Sequence, residues 1–112
     1  MTYEEIFAKS RELILANDAS SFKGHMAVQV KIIGEGEGIF YIELKDGEIF
    51  VEPYDYRDND CTFVTSGKNF IKICEGNLNP VTAFTMGKLK VEGSIEKAIE
   101  FSELVKQSRK NK

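Results

Sequence analysis

Tryptophan is absent from this chain, and proline, cysteine and histidine are scarce: two, two and one in 112 residues. With His25 as the one imidazole, neither a multi-histidine metal site nor a nucleophile–histidine–acid triad with redundancy can be assembled. Cys61 and Cys74 stand far apart in apolar surroundings, without the close spacing of a zinc knuckle or a redox pair, so reduced and buried thiols are expected. There is no basic surplus either. Fifteen Lys and Arg face eighteen Asp and Glu, a net charge of -3, which argues against a general nucleic-acid binder. The start, "MTYEEIFAKSRELIL", carries early acids and no long apolar run, unlike a signal peptide or a membrane span, and a cytoplasmic protein is expected. The end, "SRKNK", differs from a Ser-Lys-Leu peroxisomal address.

What the chain does have is periodicity, at a length that suits a single compact domain over residues 1–112. Over residues 2–18, Tyr3, Ile6, Phe7, Leu13 and Ile14 recur at helical spacing opposite Glu4, Glu5, Lys9, Arg11 and Glu12. Thr2 with Glu5 three positions on forms a capping box, and "NDASS" supplies the stop. From His25 the period becomes two: Met26, Val28, Val30 and Ile32 point inward, followed by Phe40, Ile42 and Leu44 in "GIFYIELKDG". "GEGEG", residues 34–38, and Asp46-Gly47 supply hairpin turns, and a third strand from Glu48, with Ile49 and Val51 inward, is limited by Pro53.

After the polar stretch "YDYRDND", "CTFVTS" reads as a fourth strand with Cys61, Phe63 and Thr65 inside. Ser66 caps a helix carrying Phe70, Ile73 and Cys74, which Gly76 ends; Asn79 and Pro80 start a shorter one, with Ala83 and Phe84, which Gly87 ends. A fifth strand turns Leu89 and Val91 inward and Lys88, Lys90 and Glu92 outward. Ser94 then caps a last helix whose apolar face is Ile95, Ala98, Ile99, Phe101, Leu104 and Val105, with Lys106, Arg109 and Lys110 near its negative end.

Only one face of these strands alternates to strongly apolar. The expected fold is therefore α+β in two layers, a five-stranded, mostly antiparallel sheet with the helices packed on one face and water on the other. Ile33, Ile39, Tyr41 and Phe50 fall on the outer register, either as scattered exposed apolars or as a partner or homodimer surface.

Chemistry-bearing motifs are few. "GEGEG" precedes a strand, whereas phosphate-cradling loops open a helix, so it reads as a turn. Asp55, Asp58 and Asp60 lack the glycine and terminal glutamate of a calcium loop and read as solvated turn acids. No catalytic residue, metal or cofactor is expected. The basic end "VKQSRKNK" reads either as helix-end capping or as a transient contact with an anionic membrane surface.

One segment carries a resemblance. "GIFYIELKDGEIFV" followed by "DCTFVTSGKNFIKICEGNLNPVTAFTMGKLKVEGS" is similar to the sterol carrier protein 2 domain, above all in Asn79-Pro80, Ala83-Phe84 and Gly87-Lys88-Leu89-Lys90. That family often has a Trp near Phe40, which this chain lacks, and its peroxisomal members carry a C-terminal address missing here. The resemblance implies a free-standing cytosolic domain with a tunnel between sheet and helices for a fatty acid, acyl-CoA, sterol or phospholipid. On these residues such a tunnel is lined by Phe70, Ile73, Phe84, Met86, Ile99, Phe101 and Leu104 opposite Phe40, Ile42, Leu44, Phe63 and Val91. A close-packed core would use the same residues. Two other readings stand beside the carrier: an accessory module presenting a lipid-like substrate to a partner enzyme, and an enzyme using His25 or Asp60. For a carrier, the last helix and the Phe84–Met86 turn are expected to form a mobile lid.

Overall fold

Thr2 opens the first helix as its sequence predicts. In the structure, a computed structural model that describes residues 1–110 and the side chains of residues 1–104, the Thr2 hydroxyl accepts the Glu5 N–H at 3.1 Å while the Glu5 carboxylate accepts the Thr2 N–H at 2.8 Å. Helix α1 (Tyr3–Leu15) ends where the Asn17 amide donates to the carbonyls of Leu13 and Ile14. Strands β1 (His25–Ile33), β2 (Gly38–Lys45) and β3 (Glu48–Glu52) form the expected meander, turned between β2 and β3 by Asp46 and Gly47, both at positive φ. β4 (Cys61–Ser66), α2 (Gly67–Glu75), α3 (Pro80–Thr85), β5 (Lys90–Gly93) and α4 (Ile95–Lys110) follow in the order predicted. Ser66, Asn79 and Ser94 cap the three later helices, each accepting a backbone N–H from the first turn, and Gly76 closes α2 in the left-handed conformation. The expectations on the side chains of Val105, Lys106, Arg109 and Lys110 lie outside the described residues.

The sheet order is β3-β2-β1-β4-β5. All neighbours are antiparallel except β1 and β4, which run parallel with Val28 opposite Cys61 and Val30 opposite Phe63. The register puts Met26, Val28, Val30 and Ile32 on one face with Phe40, Ile42, Leu44 and Val51, all buried. Phe40 ties that face to both first helices, meeting Phe7 and Phe70 edge-on at centroid distances of 5.4 and 5.7 Å.

The outer face differs from the expectation of open water. Because β3 is an edge strand and β4 lies beyond β1, residues 53–60 must cross over β2 and β1, and they do so on the outer side. Tyr56 stacks edge-on against Tyr41 at 5.0 Å, and its N–H donates to the Gln29 side-chain carbonyl at 3.0 Å. Asp60 closes the crossing: its carboxylate accepts the Ala27 N–H at 2.8 Å, its N–H donates to the Ala27 carbonyl, and its carbonyl accepts the Ser94 N–H. Ala27, on the outward register, is thereby fully buried. The acids of "YDYRDND" thus include one structural clasp rather than solvated turn residues alone. Of the outer apolar positions, Ile33 and Phe50 stay exposed while Ile39 and Tyr41 are half-buried.

Helix α1 approaches the sheet closely because three glycines leave room. A side chain at Gly36 or Gly67 would collide with Ile6, and one at Gly38 with the ring of Tyr3, whose hydroxyl donates to the Ile39 carbonyl at 2.6 Å. The "GEGEG" run is therefore a helix-docking surface as well as a turn. Gly67→Ala is expected to cost about 1–3 kcal/mol by overpacking. In combination with Ile6→Val, which trims the colliding methyl, the loss should be smaller than the sum of the single changes; denaturant unfolding of the four proteins in the cycle measures it.

Candidate functional site

The inner face is packed unevenly. Over β1–β3 it is filled by α1 and α2, but over β4 and β5 the chain supplies the six-residue α3 and the first turns of α4, and a cavity of about 480 Å³ opens there. Phe63 of β4 is its floor; Phe70, Ile73 and Cys74 of α2 form one wall, Pro80 and Val81 of α3 another, and Ile99 and Phe101 of α4 a third. Phe63 and Phe101 meet edge-on at 5.9 Å. A second, smaller cavity of about 200 Å³ lies between α3, β5 and α4, with Phe84, Leu89, Val91, Ile95 and Ala98 on its walls. Phe63, Pro80, Val81, Ile99 and Ser102 belong to both cavities, so the two spaces are adjacent.

The walls are apolar with few polar groups, and those are mostly occupied. The Asn79 side-chain carbonyl accepts the Val81 and Thr82 N–H groups of α3, and the Ser102 hydroxyl donates to the Ala98 carbonyl at 2.9 Å. Glu103, at the exposed edge of the larger cavity, is the one ionisable carboxylate among the described lining residues. Thr65, buried in β4, spends its hydroxyl on the Lys88 carbonyl at 2.7 Å, which holds the α3–β5 link against the sheet.

Of the residues assigned to a tunnel from sequence, Phe63, Phe70, Ile73, Ile99 and Phe101 line the larger cavity, and Phe63, Phe84, Val91 and Ile99 the smaller. Phe40, Ile42 and Leu44 instead sit in the packed core, Leu104 is half-buried against that core, and Met86 lies outside both cavities. At its helical edge the layer opposite the sheet is open: Phe84 and Met86 are 43% and 60% exposed, and Ile95 and Ile99 are about half exposed, because α3 and α4 stand off the sheet around a space. Among those missed are Ile14, Cys74, Leu78, Pro80, Val81 and Ser102 of the larger cavity and Leu89, Ile95 and Ala98 of the smaller. Leu78 carried a signal, as an apolar residue between two asparagines in a turn.

His25 and Asp60, the groups considered for catalysis, line neither cavity. His25 Nε2 stands 2.6 Å from Glu43 Oε2, to which the Tyr56 hydroxyl also donates at 3.3 Å, and Asp60 is engaged by Ala27. Among the described residues no cluster of His, Cys, Asp and Glu could hold a metal ion, and no helix is long and apolar enough to cross a membrane.

A two-layer α+β domain with an apolar space between its sheet and its later helices is defined by this geometry, and comparison with known proteins identifies it. The chain belongs to the SCP-2 sterol transfer family, whose model matches residues 4–106. It is 33% identical over 72 residues to sterol carrier protein 2 of Arabidopsis thaliana, covering 64% of this chain and 58% of that protein. Against sterol carrier protein 2 of Bos taurus it is 32% identical over 79 residues, covering 70% of this chain but 14% of the bovine protein. The apo structure of sterol carrier protein 2 from Yarrowia lipolytica is 25% identical and superposes with a TM-score of 0.55, covering 89% of this chain and 75% of that one.

The two thiols, neither in a disulfide, are placed differently by this architecture. Cys74 lines the larger cavity, while Cys61 is fully buried in β4, where burial and then the neighbouring Asp60 carboxylate push its pKa up to about 11. A small thiol reagent should label Cys74 first and Cys61 only after unfolding. Since an unfolded cysteine ionises near about 8.5, stability should be insensitive to this thiol below that pH and fall as pH rises toward 11, the unfolded state losing the proton first. Urea melts of the native chain and Cys61→Val over that range measure the difference.

Proposed function

We propose that this chain is a lipid carrier that takes one apolar ligand, such as a fatty acid, acyl-CoA, sterol or phospholipid, between β4 and helices α2, α3 and α4. The observation carrying the reading is the pair of adjacent apolar cavities, the larger within the size range of small-molecule sites. Membership of a family described by sterol transfer and similarity to proteins named sterol carrier protein 2 support it.

The energetics suit carriage rather than storage. Each methylene withdrawn from water contributes roughly 0.8 kcal/mol, so a dozen give on the order of 10 kcal/mol before ordering costs. A bilayer offers the same chain an equally apolar surrounding, so transfer between protein and membrane is close to balanced and runs in both directions. Entry requires motion. Helix α3 is a single short helix between Gly76 and Gly87, both at positive φ, and with α4 it forms the outer wall of both cavities; this pair is the lid. Amide hydrogens of α3 should exchange faster than those of β1 and slow when ligand is bound.

Ile99 tests the location, since it borders both cavities and is about half exposed, so a larger side chain there can enter the space without disturbing the packed core. Ile99→Trp is expected to weaken displacement-measured binding of a fluorescent fatty acid by about tenfold or more, equivalent to about 1.4 kcal/mol, with the melting temperature nearly unchanged. Wild-type affinity in this variant would place the ligand elsewhere.

A further inference from the structure

We propose that the ligand lies across both cavities with its polar end at Glu103 and its tail in the smaller space, and that Glu103 selects an uncharged, hydroxyl-bearing head over a carboxylate. The inference rests on the carrier reading and adds an orientation and a preferred head chemistry. The two spaces differ in what they offer. Among the described residues no charged side chain lines the smaller one, and the hydroxyls of Thr85 and Ser102 on its wall already donate to the carbonyls of Val81 and Ala98. The larger one adds Asn79 and, at its exposed edge, Glu103. Phe63, Val81 and Ile99 border both, so one chain can run from the larger into the smaller along apolar walls. An amphipathic guest keeps its head where water and polar groups remain and its tail where they are absent.

The polar groups beside that head suit a donor and not an anion. An anion needs a cation or free N–H groups, and among the described residues no Lys, Arg or His lines either cavity. The Val81 and Thr82 N–H groups at the start of α3 are taken by the Asn79 side-chain carbonyl at 2.8 and 3.2 Å. Charges close by in the chain do not replace them. Lys72 and Glu75 of α2 line neither cavity, and over residues 95–104 of α4 the carboxylates of Glu96, Glu100 and Glu103 stand against Lys97 alone, which lies 3.4 Å from Glu100. The next charge along that helix, Lys106, has its side chain outside the described residues. A carboxylate head beside Glu103 meets like charge, whereas a hydroxyl donates to it. At a solvent-exposed edge that difference amounts to about fivefold in affinity.

Displacement of a pyrene-labelled fatty alcohol by dodecanol and by dodecanoate, at neutral pH and low salt, tests the head preference. The wild-type chain should favour dodecanol. Because a carboxylate is also costlier to desolvate, the readout is the ratio of the two affinities and its change on substitution. Glu103→Gln should narrow that ratio by about fivefold and Glu103→Lys by about 25-fold, and added salt should narrow it in the wild-type chain. Lys106→Gln should leave it as it is. A ratio unchanged in both Glu103 variants, or one that Lys106→Gln shifts as far, overturns the head preference. Ile95 lines the smaller cavity and not the larger and is 48% exposed, so Ile95→Trp fills the tail end without disturbing the packed core. It should weaken octadecanol relative to dodecanol by about tenfold, the loss of about two buried methylenes. Equal effects on both chain lengths overturn the orientation. If the wild-type chain binds none of these ligands, the carrier reading falls and this inference with it; if it binds them with the same ratio in every variant, this inference alone falls.

Discussion

Because β4 enters the sheet beside β1 and parallel to it, the chain leaving β3 at the far edge has to pass over two strands before it can continue. That one pairing organises the molecule. It sends residues 53–60 across the outer face, where Tyr56 and Asp60 bind Tyr41, Gln29 and Ala27, and it returns the chain with α2 on the inner face. Asp60 is the hinge of the arrangement, holding β1 through Ala27 and the start of α4 through Ser94. Without the Asp60 carboxylate the buried Ala27 N–H would be left without its partner, so the clasp is strongly specified.

The inner face is covered by helices of unequal reach. The longer α1 lies tightly against the sheet because Gly36, Gly38 and Gly67 present no side chains to Ile6 and Tyr3, and with α2 it fills the space over β1, β2 and β3. Past β4 the sheet ends in a strand of four residues and is covered by a helix of six and the first turns of α4. Too little side-chain volume remains to fill that corner, and the cavities are what is left over. Tight packing on one side and a gap on the other follow from the same sheet; the first closes a core, and the second leaves an apolar space between the layers.

Local features were largely legible in the chain. The capping box at Thr2 and Glu5, the caps at Ser66, Asn79 and Ser94, the glycine stop at Gly76 and the Asp46-Gly47 turn depend on interactions within a few residues, so their residue types announce them. The inward residues of β1 and β2 were legible for a similar reason, since a period of two assigns every side chain to a face. The tunnel residues were legible in part. Phe70, Phe84 and Phe40 look alike as apolar members of their periods, yet Phe70 walls a cavity, Phe84 stands at a rim, and Phe40 is closed in between Phe7 and Phe70.

By itself the sequence determined which segments are helix or strand, which residues cap the helices, and which side of each is apolar, because propensity, capping and periodicity act over a few residues; the ends moved, α1 stopping at Leu15 and β5 starting at Lys90. Tertiary structure decided what those apolar sides meet. Whether a phenylalanine packs against another ring or faces an empty space depends on how far α3 and α4 stand from β4 and β5, a distance set by residues remote in the chain, among them Thr65 bound to the Lys88 carbonyl and Asp60 bound to the Ser94 N–H. Periodicity records that a side chain avoids water; the volume left beside it exists only once the layers are assembled.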